Sequence, residues 1–163
     1  MRRFSRIFAW TTLFFVAGAV LFFTKAAALP YKVAWPVLLL SLATFLSRRR
    51  ELLPFGFAFL FSAAGDAVGA RGLFIPQMAF FALAHVAYVC WFLPRARRRL
   101  RAVSLAVTVP LLVFLFAAIV PEAPFPAERI GVAVYGLVIA AMLYSALQYD
   151  GACAAGFRCA ALL

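Results

Sequence analysis

Residues 102–120 have the sequence AVSLAVTVPLLVFLFAAIV and contain no charged side chain. A helix of this length rises about 28 Å, close to the thickness of the hydrocarbon core of a bilayer. We therefore predict that this segment crosses a membrane. Pro110 should kink it, because proline lacks an amide hydrogen and leaves a backbone carbonyl that a neighbouring helix must satisfy.

The rest of the chain has the same apolar character. Of its 163 residues, 67% are hydrophobic and 13% are charged, whereas a soluble domain is about half apolar and about a quarter charged. The sequence predicts an all-α, polytopic transmembrane helical bundle that forms a single membrane-embedded domain over residues 1–163. We predict six spans followed by an incomplete seventh segment. The predicted spans are 7–24, 33–47, 53–70, 73–93, 102–120 and 130–148.

The net charge of +11 is distributed in short arginine clusters between the apolar runs. The clusters precede the first span and separate the second from the third and the fourth from the fifth, so all lie on one side of a six-span chain. The positive-inside rule then predicts a cytoplasmic N-terminus in an inner membrane. Clusters at span ends also attract anionic lipid headgroups and argue against nucleic acid as a partner. They are Arg2, Arg3 and Arg6; Arg48, Arg49 and Arg50; and Arg95, Arg97, Arg98, Arg99 and Arg101.

The third predicted span contains a carboxylate. Ser62 and Asp66 lie one helical turn apart, and Gly65 and Gly69 share their side of the helix. Small residues allow another helix to approach closely, and an ionisable group at membrane depth normally faces a polar interior. Asp66 is therefore a candidate functional residue. The alternative is a structural carboxylate that only bonds to a partner helix.

The fourth predicted span contains the single histidine of the chain, His85. Gln77, His85 and Tyr88 place three hydrogen-bonding groups on one helical stripe, together with Phe81 and Phe92. A functional histidine and a satisfied interior histidine remain equally open at this point. Tyr135 and Met142 share a face of the sixth span, where core packing is the simpler interpretation.

The sequence indicates neither a cofactor nor a metal. One histidine and few acids cannot supply the usual three or four protein ligands of a zinc site. Cys90, Cys153 and Cys159 have no metal-ligand spacing, and we interpret them as free thiols. The common soluble-enzyme motifs, such as G-x-S-x-G and the P-loop, are absent.

Several short motifs together resemble the YhhN family, which includes the lysoplasmalogenases. The resemblance runs from about Lys32 to Gly151 and depends on the order and spacing of its parts. In chain order these are Lys32 followed by Pro36, Phe61-Ser62-x-x-Gly65-Asp66, Phe81-x-x-x-His85-x-x-Tyr88, and Tyr135 with Met142 and Ala146.

The resemblance implies about eight spans and hydrolysis of the vinyl-ether bond of lysoplasmalogens. The products would be a fatty aldehyde and glycerophosphoethanolamine or glycerophosphocholine. It implies catalytic roles for Asp66, His85 and Tyr88, and substrate-binding roles for Lys32, Ser62 and Tyr135. Gln77, on the stripe of His85, is a further substrate-binding candidate. The implied partner is a membrane lipid or lysophospholipid within the bilayer.

The resemblance also predicts a serine-aspartate pair in a seventh span. Gly151-Ala152 matches the opening of that span, but Arg158-Cys159 stands where the pair is expected. We therefore expect a family member that is cut short or altered after its sixth span. The alternative function is a non-catalytic membrane protein, either a binding or small-solute permeation bundle or an inactive member of the family.

Overall fold

A computed structural model describes residues 12–13, 15–20, 33–151 and 154–162. By internal contacts the chain divides into two units, Met1–Ala84 and His85–Leu163, and the division falls inside one long helix. Each unit is described by itself below. The expectation of a single membrane-embedded domain stays a prediction.

The first unit contains a helical hairpin. Its helices are α1 (Trp35–Leu46) and α2 (Leu53–Gly69), and a short 3₁₀ turn at Arg50–Leu52 precedes α2. Proline occupies the first turn of both helices, where its missing amide hydrogen removes no intrahelical bond. Arg48 adopts a positive φ of 53° between them, which allows the chain to reverse direction.

The α1–α2 hairpin is held by a close approach at Gly56. The Ser41 hydroxyl donates a buried 2.9 Å hydrogen bond to the Gly56 carbonyl. A Cβ atom at Gly56 would lie 2.8 Å from the Phe45 ring, so a larger residue would force that ring to move. The ring of Phe45 packs edge-on against Phe57, with centroids 5.3 Å apart. Small and aromatic residues together set the spacing of the two helices.

The next helix, α3 (Phe74–Phe92), begins after a tight connection in which Gly72 has a φ of 71°. Its residues up to Ala84 belong to the first unit and the remainder to the second. The helical residues 15–20 also belong to the first unit, where Gly18 lies directly against Pro36. Apart from residues 12–13, the rest of the first predicted span lies outside the described residues.

The second unit continues with α4 (Arg101–Phe114), α5 (Pro126–Leu147) and α6 (Ala154–Leu162). Helix α4 continues through Pro110 and then widens into a π-helical segment at Leu115–Ile119. Pro110 cannot donate a backbone hydrogen bond within the helix, and the helix changes from α to π geometry in the turn that follows it. Gly136 on α5 lies against Leu115, where a Cβ atom would overlap the leucine methyl groups.

Four helical segments are long and apolar enough to cross a membrane: Arg50–Gly69, Phe74–Arg95, Arg98–Glu122 and Pro126–Leu147. They correspond to four of the predicted spans, with boundaries shifted by a few residues. Large apolar side chains on α4 are exposed, such as Leu105, Val109 and Val113, as expected for a surface in contact with lipid. The chain is an integral membrane protein with an all-helical arrangement of its described elements.

Two predicted segments differ from a full span. The second, predicted over 33–47, forms the 12-residue helix Trp35–Leu46, which rises only about 18 Å. The predicted incomplete seventh segment forms the nine-residue helix α6. Helix length alone therefore gives four spans among the described residues, and the count of six stays a prediction.

Candidate functional site

The carboxylate of Asp66 lies near the end of α2 within the first unit. Asp66 and Ser62 are one turn apart and both are half-buried, as their spacing predicts. The Asp66 main-chain carbonyl accepts the Ala70 amide at 3.0 Å and so completes the last turn of the helix. Among the described residues, the side chains of Asp66 and Ser62 form no hydrogen bond or ion pair. Nothing in this part of the chain therefore neutralises the carboxylate.

The glycines next to Asp66 form the surface against which α3 begins. A Cβ atom at Gly65 would lie 3.2 Å from the Phe81 ring, and one at Gly69 would overlap the Gln77 amide. These contacts agree with the expectation that Gly65 and Gly69 allow close helix approach. They fix Gln77 and Phe81 beside the turn of α2 that contains Asp66.

An apolar groove opens between α1 and α2 on the adjacent surface of α2. It encloses about 380 Å³, and none of its described lining residues is charged. Ala63 and Ala67 lie on its wall, and Asp66 is the neighbour of Ala63 at helical spacing of three residues. Asp66 does not line the groove itself; by its helical position it lies on the side of α2 between the groove-lining alanines and the glycine surface. The lining residues are Ala34, Trp35, Leu38, Leu60, Ala63, Ala64 and Ala67.

The second unit brings His85 together with two tyrosines. The His85 ring packs edge-on against Tyr135 of α5, with centroids 5.6 Å apart, and lies 6.3 Å from the ring of Tyr88. His85, Tyr88 and Tyr135 are all half-buried. The sequence placed His85 and Tyr88 on the fourth span and Tyr135 on the sixth, so the contact between His85 and Tyr135 is a product of the fold. We refer to these three residues as the His85 cluster.

Two further features considered in the sequence are Lys32 and a metal site. Lys32 lies outside the described residues. No group of three or more potential metal-ligating side chains occurs within the described ranges. The proposed roles of the site residues are not tested by this geometry and stay predictions.

An ion-pair network that the sequence did not reveal closes the end of the second unit. Asp150, just after α5, pairs with Arg97 at 3.8 Å, with Arg158 at 3.6 Å, and also with Arg99. Arg158 additionally donates two hydrogen bonds, at 2.6 and 3.1 Å, to the Tyr149 carbonyl. Arg158, which occupies the position expected for an acidic pair, therefore anchors α6 to the end of α5.

Aromatic rings pack beneath this network. Tyr149 and Phe157 contact Trp91 and Phe92 at centroid distances of 5.1 to 5.7 Å. Phe92 was predicted on the stripe of His85, and here it belongs to this separate aromatic cluster. The sequence contains a single hint of this cluster: the segment that follows α5 has an aromatic residue near each end, Tyr149 and Phe157.

Comparison with known proteins places these features in a family. The family model described as YhhN family matches residues 27–163, which includes the Asp66 region, the His85 cluster and α6. Searches of curated proteins and of solved structures gave no match. Because the match extends over most of the sequence, the chain belongs to the YhhN family.

Proposed function

We propose that this chain is a lysoplasmalogenase-like hydrolase that cleaves the vinyl-ether bond of a lysophospholipid. The observation that carries the proposal is the position of Asp66, a half-buried carboxyl group next to the groove-lining Ala67 of α2, with no basic partner among the described residues. An ionisable side chain at membrane depth is costly, so its presence there favours a functional role. Membership of the YhhN family supports the same role.

The reaction requires an acid that can protonate carbon. In the proposed mechanism, the Asp66 carboxyl group transfers its proton to the second carbon of the vinyl ether, and the double-bond electrons form the new C–H bond. The resulting oxocarbenium ion adds water, which loses its proton to a base. The hemiacetal then breaks its C–O bond to give the aldehyde and the glycerophospho alcohol. A positioned acid of this kind contributes about 10² to 10⁴ in rate.

The groove supplies a place for the hydrocarbon chain. Burying each methylene contributes about 0.8 kcal/mol, so an apolar groove beside an acid favours a lipid over a soluble ether. Ser62 lies on the same helix as the acid, and Gln77 of α3 lies against that helix at Gly69. Both are proposed to bind polar groups of the substrate. The family resemblance assigns Lys32 and Tyr135 to substrate binding, and His85 and Tyr88 to orienting the acid or holding water.

The proposal includes a location in the bacterial inner membrane. The described arginine clusters lie at span ends, at 48–50 and 95–101, and the positive-inside rule assigns such clusters to the cytoplasm. Asp66, near the opposite end of its span, would then lie towards the outer face. A cytoplasmic reporter should be active when fused after Arg50 or Arg101 and inactive after Arg71.

The purified full chain, given a lysoplasmalogen in D₂O, tests the reaction type. Protonation of carbon by a solvent-exchanged acid should yield a fatty aldehyde with one deuterium on the carbon next to the carbonyl. Aldehyde without deuterium at that carbon would exclude the proposed proton transfer. A matched alkyl-ether lysolipid, which has no double bond to protonate, should release no product.

A second candidate is a non-catalytic lipid-binding bundle. It is favoured by Arg158, whose guanidinium occupies the position of the expected acid and is bound to Asp150 and to the Tyr149 carbonyl. This candidate predicts that the folded chain binds the lysolipid and releases no aldehyde. Binding with release would exclude it.

A further inference from the structure

The connection between α3 and α4, residues 93–100, is attached to the end of α5. The Arg97 amide donates a 2.9 Å hydrogen bond to the Gln148 carbonyl, and Ala96 and Tyr149 form an antiparallel bridge. Arg95 lies over the Trp91 ring at 4.6 Å and donates to the Trp91 carbonyl at 2.8 Å. The backbone at Ala96 and Arg97 is therefore tied to the end of α5.

This end of the second unit carries a large excess of positive charge. Asp150 is the one carboxylate that its arginines contact among the described residues. Arg98 and Arg101 are exposed and have no ion pair in this part of the chain. Arg97 and Arg99 remain 62% and 68% exposed although they contact Asp150. We call the set of Arg95, Arg97, Arg98, Arg99, Arg101 and Arg158 the arginine cluster.

The cluster lies at the level of the lipid headgroups. One membrane-spanning segment ends at Arg95 and the next begins at Arg98, so the connection between them is at the bilayer surface. Exposed apolar side chains flank it on the membrane side, with Leu93 55% and Val103 60% exposed. A molecule with an anionic head and an apolar body would contact both the arginines and the apolar side chains next to them. A free anion would contact only the arginines.

We propose that the arginine cluster binds the phosphate of an anionic diacyl phospholipid, whose acyl chains lie against Leu93 and Val103. A guanidinium group presents two parallel N–H donors to phosphate oxygens, which gives arginine both strength and geometric fit. Arg98 and Arg101 are the main contacts, because no carboxylate competes for them. The site is independent of Asp66 and of the proposed hydrolysis.

Native mass spectrometry of the full chain in mild detergent, titrated with phosphatidylglycerol or phosphatidylcholine, tests this proposal. The wild type should bind phosphatidylglycerol more tightly than phosphatidylcholine. A basic residue near an anionic lipid contributes about fivefold in affinity, so Arg98→Gln with Arg101→Gln should weaken phosphatidylglycerol binding about 25-fold. Phosphatidylcholine binding should stay unchanged. Equal affinity of the wild type for the two lipids would overturn the proposal.

Two further arms separate this site from general charge and from free anions. Arg48→Gln with Arg50→Gln removes the same charge from another arginine-rich connection and should weaken phosphatidylglycerol binding less than Arg98→Gln with Arg101→Gln does. An equal loss would show a nonspecific effect of charge and refute the site. Glycerophosphoglycerol, the headgroup without acyl chains, should bind at least tenfold more weakly, and equal binding would contradict a lipid ligand. Arg98→Lys with Arg101→Lys, which retains charge and loses the guanidinium fork, should give an intermediate affinity.

Discussion

Replacement of Arg158 by alanine should release α6 from the end of α5. The guanidinium makes two hydrogen bonds to the Tyr149 carbonyl and an ion pair with Asp150, and its side chain is 32% exposed. Hydrogen bonds from a charged donor contribute about 1.5 to 3 kcal/mol, and a partly exposed ion pair adds at most about 1 kcal/mol. We expect Arg158→Ala to cost about 2 to 3 kcal/mol in local stability.

Hydrogen–deuterium exchange of the amides of α6 measures this change. A loss of 2 to 3 kcal/mol should raise the opening equilibrium of α6 about 30- to 150-fold, provided that the helix opens locally. Arg158→Lys retains the charge but cannot direct two N–H groups at one carbonyl, so its effect should be smaller.

Arg97→Ala is the matched control for Arg158→Ala. Its side chain meets the same carboxylate at 3.8 Å but is 62% exposed, and the hydrogen bond to Gln148 uses its main chain. Exposed ion pairs of this kind contribute about 0.5 kcal/mol or less. Equal acceleration of exchange in Arg97→Ala and Arg158→Ala would refute the reasoning, as would unchanged exchange in α6 of Arg158→Ala.

Two further predictions concern the first unit. Gly65→Leu should lower the free energy of unfolding by about 1 to 3 kcal/mol, because the larger side chain overpacks against Phe81. Unfolding in mixed micelles with increasing dodecyl sulfate measures this change. The control Ala70→Leu, at an exposed position, should change the free energy of unfolding by at most about 0.5 kcal/mol. Ala67→Phe should fill part of the groove beside Asp66, so lysolipid binding should lose about fourfold for each methylene excluded, measured over a series of chain lengths. An unaltered dependence on chain length would exclude the groove as the chain site.

The spans were predictable because one physical requirement sets them. A helix in lipid needs about 20 apolar residues without charge, and runs such as 102–120 satisfy that requirement in the sequence itself. The Ser62–Asp66 spacing and the glycines beside it were predictable for the same reason, since helical periodicity fixes which residues share a face. The short helix Trp35–Leu46 shows where this reasoning weakens, because a run of marginal length does not fix its own ends.

Contacts between distant residues were not predictable from periodicity. Arg99 meets Asp150 across 51 residues, and the edge contact of His85 with Tyr135 joins two different helices. No local pattern encodes such a pair, because it depends on how the helices pack. In the sequence, Arg158 was notable only because it stands where an acidic pair is expected. Its hydrogen bonds to the Tyr149 carbonyl became visible only in the fold.

The rate of aldehyde release by Asp66→Asn, relative to the wild type, tests the central claim most directly. The amide has nearly the same shape but cannot donate the proton, so turnover of a lysoplasmalogen should fall about 10² to 10⁴-fold while the protein still inserts and folds. Glu122→Gln, the same change at an exposed acid, should retain the wild-type rate. Wild-type turnover by Asp66→Asn would contradict the assignment of Asp66 as the proton donor.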